Sequence, residues 1–148
     1  MSRRITFQES DLLDPLIDWL TRQRKLLPGA ALVPEFPWQG RFVDLVLLSK
    51  SQITFSFELK LSHTRRALHQ AALNLMSFDR NLVVTASRPT AANLDQARNM
   101  GIGVILLNPQ DESCSALLSP RPQSVLPIVR KRLRESLTAR SLEREDVC

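Results

Sequence analysis

Nine consecutive residues, from Ile53 to Leu61, alternate strictly between apolar and polar side chains. A period of two places successive side chains on opposite faces of a β-strand, so this segment predicts a strand with one apolar face. The preceding segment, 41–48, is apolar at nearly every position, which is typical of a strand buried on both faces. We therefore expect a β-sheet in which 41–48 is a central strand.

Helical and extended patterns alternate along most of the chain. Helices are predicted for 11–27, 63–78 and 90–100, and further strands for 30–36, 81–86 and 102–107. Three strands in succession indicate an antiparallel meander, and helices between the later strands allow parallel pairing. The sequence thus predicts an α/β fold with a mixed sheet of about five strands flanked by helices, in the order αβββαβαβ.

The C-terminal part has a weaker pattern. Segment 109–124 carries four Ser and three Pro and predicts a loop, whereas 126–140 predicts a basic helix. We assign 1–108 to the core and 109–148 to a loop, helix and tail that form no separate domain. A length of 148 residues fits this organisation.

Arginine dominates the positive charge. Lys and Arg number 20 against 15 Asp and Glu, a net charge of +5, and 16 of the 20 are Arg. The guanidinium fork matches phosphate oxygens, so an Arg-rich basic domain is typical of polyanion binding. Codon usage in a GC-rich genome is the alternative explanation.

Cysteine, histidine and hydropathy argue against several classes of protein. Two distant Cys and two His do not suit a disulfide framework or a zinc site. No apolar stretch approaches the roughly 18–20 residues that cross a bilayer. Residues 1–9 contain no apolar signal core, so we expect a cytoplasmic protein with no membrane partner.

Asp44 lies among apolar neighbours in the predicted central strand. An isolated buried carboxylate is costly, so a stable fold needs a cation beside it. Two interpretations remain open: a structural salt bridge with Arg41 or Lys60, or a metal ligand on the sheet.

Glu58 and Lys60 are two residues apart on the alternating strand, so their side chains leave the same face. Alone, this pair is also what a solvated polar face would contain. Asp44, however, precedes Glu58 by one hairpin, and adjacent antiparallel strands can bring the two carboxylates together. Two carboxylates with an ammonium group beside them suit a hard cation such as Mg²⁺.

Asp44, the triplet Glu58-Leu59-Lys60 and a following helix that carries Gln70 together resemble the PD-(D/E)XK nuclease superfamily. The order of helices and strands over about residues 11–107 is similar to the restriction-endonuclease-like core of that superfamily. The proline that often precedes the acidic residue there is replaced by Val43.

This resemblance implies a metal-dependent endonuclease. Asp44, Glu58 and the Leu59 carbonyl would bind Mg²⁺, with Mn²⁺ as an alternative. Lys60 would orient water or stabilise charge on phosphorus, and Gln70 would position water or Lys60. The superfamily often has a further acidic ligand. The candidates here are Glu9, Asp14, Asp18 and Glu35, of which Glu9 and Glu35 are preferred.

The expected partner is nucleic acid, with DNA preferred and RNA not excluded. Phosphate contacts are predicted for Arg65, Arg66, Arg130, Lys131, Arg132 and Arg134. A homodimer is one possible assembly, with the C-terminal helix as its candidate seam. A non-catalytic nucleic-acid-binding or assembly module of the same fold is the alternative function, and an Arg-rich protein-binding domain is a third.

Overall fold

The computed structural model describes residues 6–23, 29–62 and 64–145, with side chains up to residue 140. Predicted helical positions 24–27 and His63 lie outside these residues. A short 3-10 helix, Glu9–Leu12, leads into the first α-helix. The helices are α1 (Leu13–Arg22), α2 (Thr64–Asn74), α3 (Ala91–Met100) and α4 (Pro127–Glu145). The strands are β1 (Ala31–Trp38), β2 (Arg41–Leu48), β3 (Thr54–Lys60), β4 (Arg80–Thr85), β5 (Gly103–Leu107) and β6 (Cys114–Leu118).

Within the described residues, six strands form one mixed sheet in sequential order, from β1 to β6. The first three strands are an antiparallel meander. Helices α2 and α3 then connect strands that pair in parallel, β3 with β4 and β4 with β5. The predicted α/β architecture is therefore confirmed, with one additional strand.

Helices cover both faces of the sheet. On one face, α1 packs Leu16 and Leu20 against alternate residues of the central strands, including Leu45 and Phe57. On the other face, α2 and α3 cover β4 and β5, while α4 packs over β1. None of the helices in the described parts of the chain combines the length and apolarity that a membrane crossing requires.

The polar face of β3 is buried rather than solvated, because α2 packs against β3 and side chains at and just before the start of the neighbouring strand β4 bond to this face. Thr54 donates to the Asp79 carboxylate and Ser56 donates to the Asn81 side chain, at 3.0 and 2.7 Å. Glu58, the third polar residue on this face, is only 2% exposed. The interpretation of this face as a solvated surface is therefore wrong.

The second helix is shorter than the predicted 63–78. It ends at Asn74, whose carbonyl accepts the N–H groups of both Ser77 and Phe78 in the following turn. Phe78 lies after the end of α2 but still in the core, where it packs against α4. An apolar residue at helical spacing extended the predicted helix to Phe78, although α4, and not α2, buries it.

The loop predicted for 109–124 contains β6, which is a correction. Cys114–Leu118 pairs antiparallel with β5 at the edge of the sheet. The prolines that suggested a loop, Pro109, Pro120 and Pro122, all lie outside the strand. An edge strand with partly exposed residues on both faces has little hydrophobic alternation, so its sequence did not reveal it.

Candidate metal centre on the central strands

Asp44 and Glu58 lie opposite each other on β2 and β3. The paired residues Leu45–Phe57 and Val46–Ser56 define a register that, continued by one step, places Asp44 against Glu58. Each of the two carboxyl groups contributes to the pKa shift of the other, so the two acids lie close together. The strand alternation and hairpin thus bring together the two acids that the sequence singled out.

Glu58 is the most deeply buried charged residue of the site. Its Oε1 atom accepts a hydrogen bond from Asn74 Nδ2 at 3.0 Å and lies 3.5 Å from Arg41 Nη1. Burial, followed by the nearby Asp44 charge, raises the pKa of Glu58 to about 7, although Asn74 and Arg41 act in the opposite direction. Near neutral pH, this carboxyl group therefore changes readily between its protonated and ionised forms.

Asp44 is fixed by the backbone of the neighbouring strand. Its Oδ2 atom accepts the Leu59 N–H at 2.7 Å. Burial raises the pKa of Asp44, and the hydrogen bond from Leu59 counteracts this only in part. The Lys60 carbonyl accepts the Ala86 N–H on the β4 side. Because carbonyls alternate along a strand, the Leu59 carbonyl faces β2 and the Asp44 side.

Lys60 pairs with Glu9 at the margin of the site. Its Nζ atom lies 3.3 Å from a Glu9 carboxylate oxygen. The Lys60 charge lowers the pKa of Asp44 and the Glu9 charge raises it, so both act on the same carboxyl group. The ammonium group is therefore close enough to influence Asp44 while it is held by another acid, Glu9.

A cavity of about 450 Å³ opens beside Asp44 and Leu59, and both preferred further acids, Glu9 and Glu35, line it. The pairs Pro34–Leu45 and Phe36–Val43 leave Glu35 opposite Asp44 across β1 and β2. Glu35 has a left-handed backbone with a φ of 49°, a strained conformation for a residue other than glycine. The other candidates, Asp14 and Asp18, are exposed on α1, and Asp18 lines a different cavity.

Gln70 lies one helical turn before Asn74 on α2, and thus on the same helix face. Helix α2 returns antiparallel to β3, so one turn back from Asn74 corresponds to a step from Glu58 towards Lys60. Among the described residues, the Gln70 side-chain oxygen is buried and accepts no hydrogen bond. A buried acceptor without a donor is available to water or to an ammonium group.

Asp44, Glu58 and Leu59 carry the oxygen atoms that a metal ion at this site would use. In the described parts of the chain, no three His, Cys, Asp or Glu side chains cluster closely enough to hold a metal. Mg²⁺ commonly binds one or two carboxylates and takes its other ligands from water and substrate phosphates. Asp44, Glu58 and the Leu59 carbonyl supply such an incomplete set of oxygen donors.

The predicted phosphate contacts divide into two groups. Exposed side chains are those of Arg65, Arg66, Lys131 and Arg132. Arg130 instead binds the Asp79 carboxylate at 2.6 Å, and Arg134 donates to the Gln52 carbonyl at 2.5 Å. These two arginines face the sheet and help to dock α4, so the exposed basic surface of this helix is narrower than its sequence suggests.

Arg41 and Asn74 are members of the site whose contacts the sequence did not reveal. The sequence indicates Arg41 only as a partner for Asp44, but its guanidinium group contacts Glu58 and also donates to the Asn74 side-chain oxygen. Asn74 lies on the polar face of α2 and is fully buried. A polar residue three or four positions after Gln70 was the available signal for it.

The chain matches no protein-family model and no curated protein. Among solved structures, a protein of unknown function from Silicibacter pomeroyi is similar over 95% of this chain and 90% of that one, with a TM-score of 0.66 and 19% identity. A repair endonuclease from Pyrococcus abyssi matches 73% of this chain with a TM-score of 0.50 and 18% identity.

The chain spans 50% of the length of the Pyrococcus abyssi endonuclease. An EndoMS complex with double-stranded DNA is similar over 70% of this chain and 46% of that one, at 13% identity and a TM-score of 0.43. The fold, a mixed sheet flanked by helices, is similar to that of the Pyrococcus abyssi endonuclease. At these identities the likeness concerns the fold alone.

Proposed function

We propose that this protein is a metal-dependent phosphodiesterase, an endonuclease that acts on nucleic acid, with DNA as the preferred substrate. The observation that carries the proposal is the proximity of Asp44 on β2 and Glu58 on β3, with the Leu59 backbone and the Lys60 ammonium group at the same end of β3. A buried acidic pair destabilises the folded protein, and a bound divalent cation would offset this cost by neutralising the two carboxylates.

In this mechanism, Asp44, Glu58 and the Leu59 carbonyl would hold Mg²⁺ or Mn²⁺. The chemistry that such an ion supplies when bound is polarisation of a phosphoryl oxygen and a lower pKa for water. Lys60 leaves Glu9 and turns towards the phosphate, where it orients the attacking water or stabilises charge on phosphorus. The unpartnered Gln70 oxygen accepts a hydrogen bond from that water or from Lys60.

Substrate binding in this proposal is electrostatic and independent of sequence. Arg65 and Arg66, at the start of α2, and Lys131 and Arg132, on α4, are exposed and can contact the phosphate backbone. Arg130 and Arg134 take part indirectly, because they hold α4 on the sheet. Similarity of the fold to a repair endonuclease supports the class of reaction.

The cleavage experiment compares the wild type with Glu58→Ala and Lys60→Ala on a DNA duplex and on single-stranded DNA, with Mg²⁺ and with EDTA. The wild type should cleave only with the metal, and each variant should lose on the order of 100-fold or more in rate. Asp95→Ala, an exposed change on α3, is the control and should retain activity. Equal rates in all four proteins would remove the assigned roles.

One observation favours a non-catalytic nucleic-acid-binding module as the second candidate. Arg41 and Asn74 donate hydrogen bonds to the Glu58 carboxylate, so this buried group has protein partners and the network is stable without a metal. Metal affinity separates the two functions. An endonuclease should bind Mn²⁺ in a manner that depends on Asp44, whereas a non-catalytic module should bind nucleic acid with no such affinity.

A further inference from the structure

Arg41 connects the rim of the candidate site to its buried carboxylate. It is the first residue of β2, directly after the Gln39-Gly40 turn. Its side chain is 25% exposed, whereas that of Glu58, which it contacts at 3.5 Å, is 2% exposed. A second guanidinium nitrogen donates to the Asn74 side-chain oxygen. One long, flexible cation therefore extends from solvent to a proposed metal ligand.

The contact has an electrostatic cause. Two opposed carboxylates in a buried site need positive charge nearby. Among the described residues, Lys60 is held by Glu9 and Arg130 by Asp79, so Arg41 is the cation that contacts Glu58 itself. A divalent cation between Asp44 and Glu58 would supply that positive charge instead, and it would repel the guanidinium group.

The displaced guanidinium group would need an anion. A nucleic acid that enters the site brings phosphate oxygens beside the metal, and the planar arginine fork binds phosphate well. Asn74 would remain in contact with Glu58 through its amide nitrogen, at 3.0 Å, and so would keep the carboxylate in place. Arg41 would thus have two alternative partners: the Glu58 carboxylate when no metal is bound, and a substrate phosphate when a metal is bound.

We propose that Arg41 is a counter-ion switch: it neutralises Glu58 while the metal is absent, and it binds a substrate phosphate after a divalent cation has taken that carboxylate. This proposal rests on the proposed function, because it requires the metal site. It assigns Arg41 a role in both metal affinity and nucleic-acid binding, two properties that a purely structural salt bridge would not link.

Metal affinity is the first test. Mn²⁺ binding without nucleic acid is measured by calorimetry at pH 8.5, well above the pKa of about 7 of Glu58. Arg41→Met, which removes the charge, should bind Mn²⁺ about tenfold more tightly than the wild type. Arg41→Lys, which keeps the charge, should stay within about twofold. Arg98→Met on α3 is the control for loss of an exposed arginine and should leave the affinity unchanged.

Nucleic-acid binding is the second test. The affinity for a short DNA duplex is measured against salt concentration, with Ca²⁺ and with EDTA. The logarithm of the affinity falls as the logarithm of the salt concentration rises. Loss of one phosphate contact makes this slope less steep, by about 0.9. Arg41→Met should show this reduction with Ca²⁺ and not with EDTA. An equal reduction in both conditions, or none in either, would overturn the switch.

The outcomes separate this inference from the proposed function. If Asp44→Asn binds Mn²⁺ as the wild type does, the metal site itself is wrong. If Asp44→Asn loses Mn²⁺ but Arg41→Met binds it no more tightly than the wild type, the metal site stands and the switch is wrong. If Arg41→Met does not fold, Arg41→Gln takes its place with the same expected results. A Lys variant that binds Mn²⁺ as tightly as the Met variant would also contradict the explanation by charge.

Discussion

The Asp44 carboxylate accepts the backbone N–H of Leu59, at 2.7 Å, across the boundary between β2 and β3. This hydrogen bond occupies one of the two carboxylate oxygens, while Glu58 lies close to the same carboxyl group. It also fixes Asp44 next to Leu59, whose backbone carbonyl faces β2, the strand that carries Asp44. The backbone of β3 therefore orients the acid on β2, and the site depends on the pairing of these strands rather than on a flexible loop.

The raised pKa of Glu58 predicts how stability depends on pH. The group has a pKa of about 7 in the folded protein and an ordinary value of 4.5, so the folded state binds more protons between these values. Its contribution to stability is present below pH 4.5 and is lost as the pH rises through 7. The loss amounts to roughly 3 kcal/mol.

Urea unfolding at several pH values measures this effect. Glu58→Gln should make the decline between pH 4.5 and 7 that the wild type shows without metal much shallower, with Asp44 responsible for what is left. Mg²⁺ should reduce the decline in the wild type, because the ion binds the ionised carboxylate. The same pH slope in the wild type and in Glu58→Gln would contradict the assignment.

Asp79 predicts a pH dependence of the opposite sign. Burial alone would raise the pKa of Asp79, but donors from Thr54 and the Arg130 guanidinium group hold it below 3.8. Its stabilising contribution is therefore present above pH 3.8 and is lost as the pH falls through the lower folded value.

Asp79→Asn should lower the free energy of unfolding at pH 7 by about 1–3 kcal/mol, because Arg130 and the Thr54 donors lose a charged acceptor. The difference from the wild type should shrink below the pKa of the wild-type carboxyl group. Asp95→Asn, at an exposed position, should change stability by less than about 0.5 kcal/mol. A loss in Asp79→Asn that is the same at every pH would disagree with this account.

The backbone conformation at Glu35 predicts an unusual order of stability between two variants of a strand residue. Glycine normally destabilises a strand relative to alanine, but a φ of 49° favours glycine. Glu35→Gly should therefore be more stable than Glu35→Ala by about 1 kcal/mol. Thermal unfolding of the two variants provides the comparison. If the alanine variant were the more stable, the left-handed backbone at this position would be wrong.

Much of the fold follows from local patterns. The segment 41–48 matches β2 to the residue, because buried apolar runs bounded by turns have clear ends. The opposition of Asp44 and Glu58 also follows, since alternation and a short hairpin determine which residues meet. These features depend on neighbours in sequence, which a reader of the sequence can see.

Tertiary contacts account for what the sequence did not reveal. Strand β6 owes its existence to pairing with β5 rather than to its own pattern. Arg41 contacts Glu58 at a place where α2 also supplies Asn74 as a hydrogen-bond partner. Arg130 forms a salt bridge with Asp79, which lies next to α4, and so does not extend into solvent. In each case, the partner is distant in sequence and the side chain alone carries no signal of it.

Diffraction from crystals soaked in Mn²⁺, with data collected near the manganese absorption edge, tests the central claim most directly. We expect an anomalous peak between the carboxylates of Asp44 and Glu58, with oxygen ligands at about 2.0–2.5 Å. This peak should disappear in Asp44→Asn crystals. A fully occupied ion elsewhere on the molecule, with no density between these two side chains, would contradict the metal site and the endonuclease proposal with it.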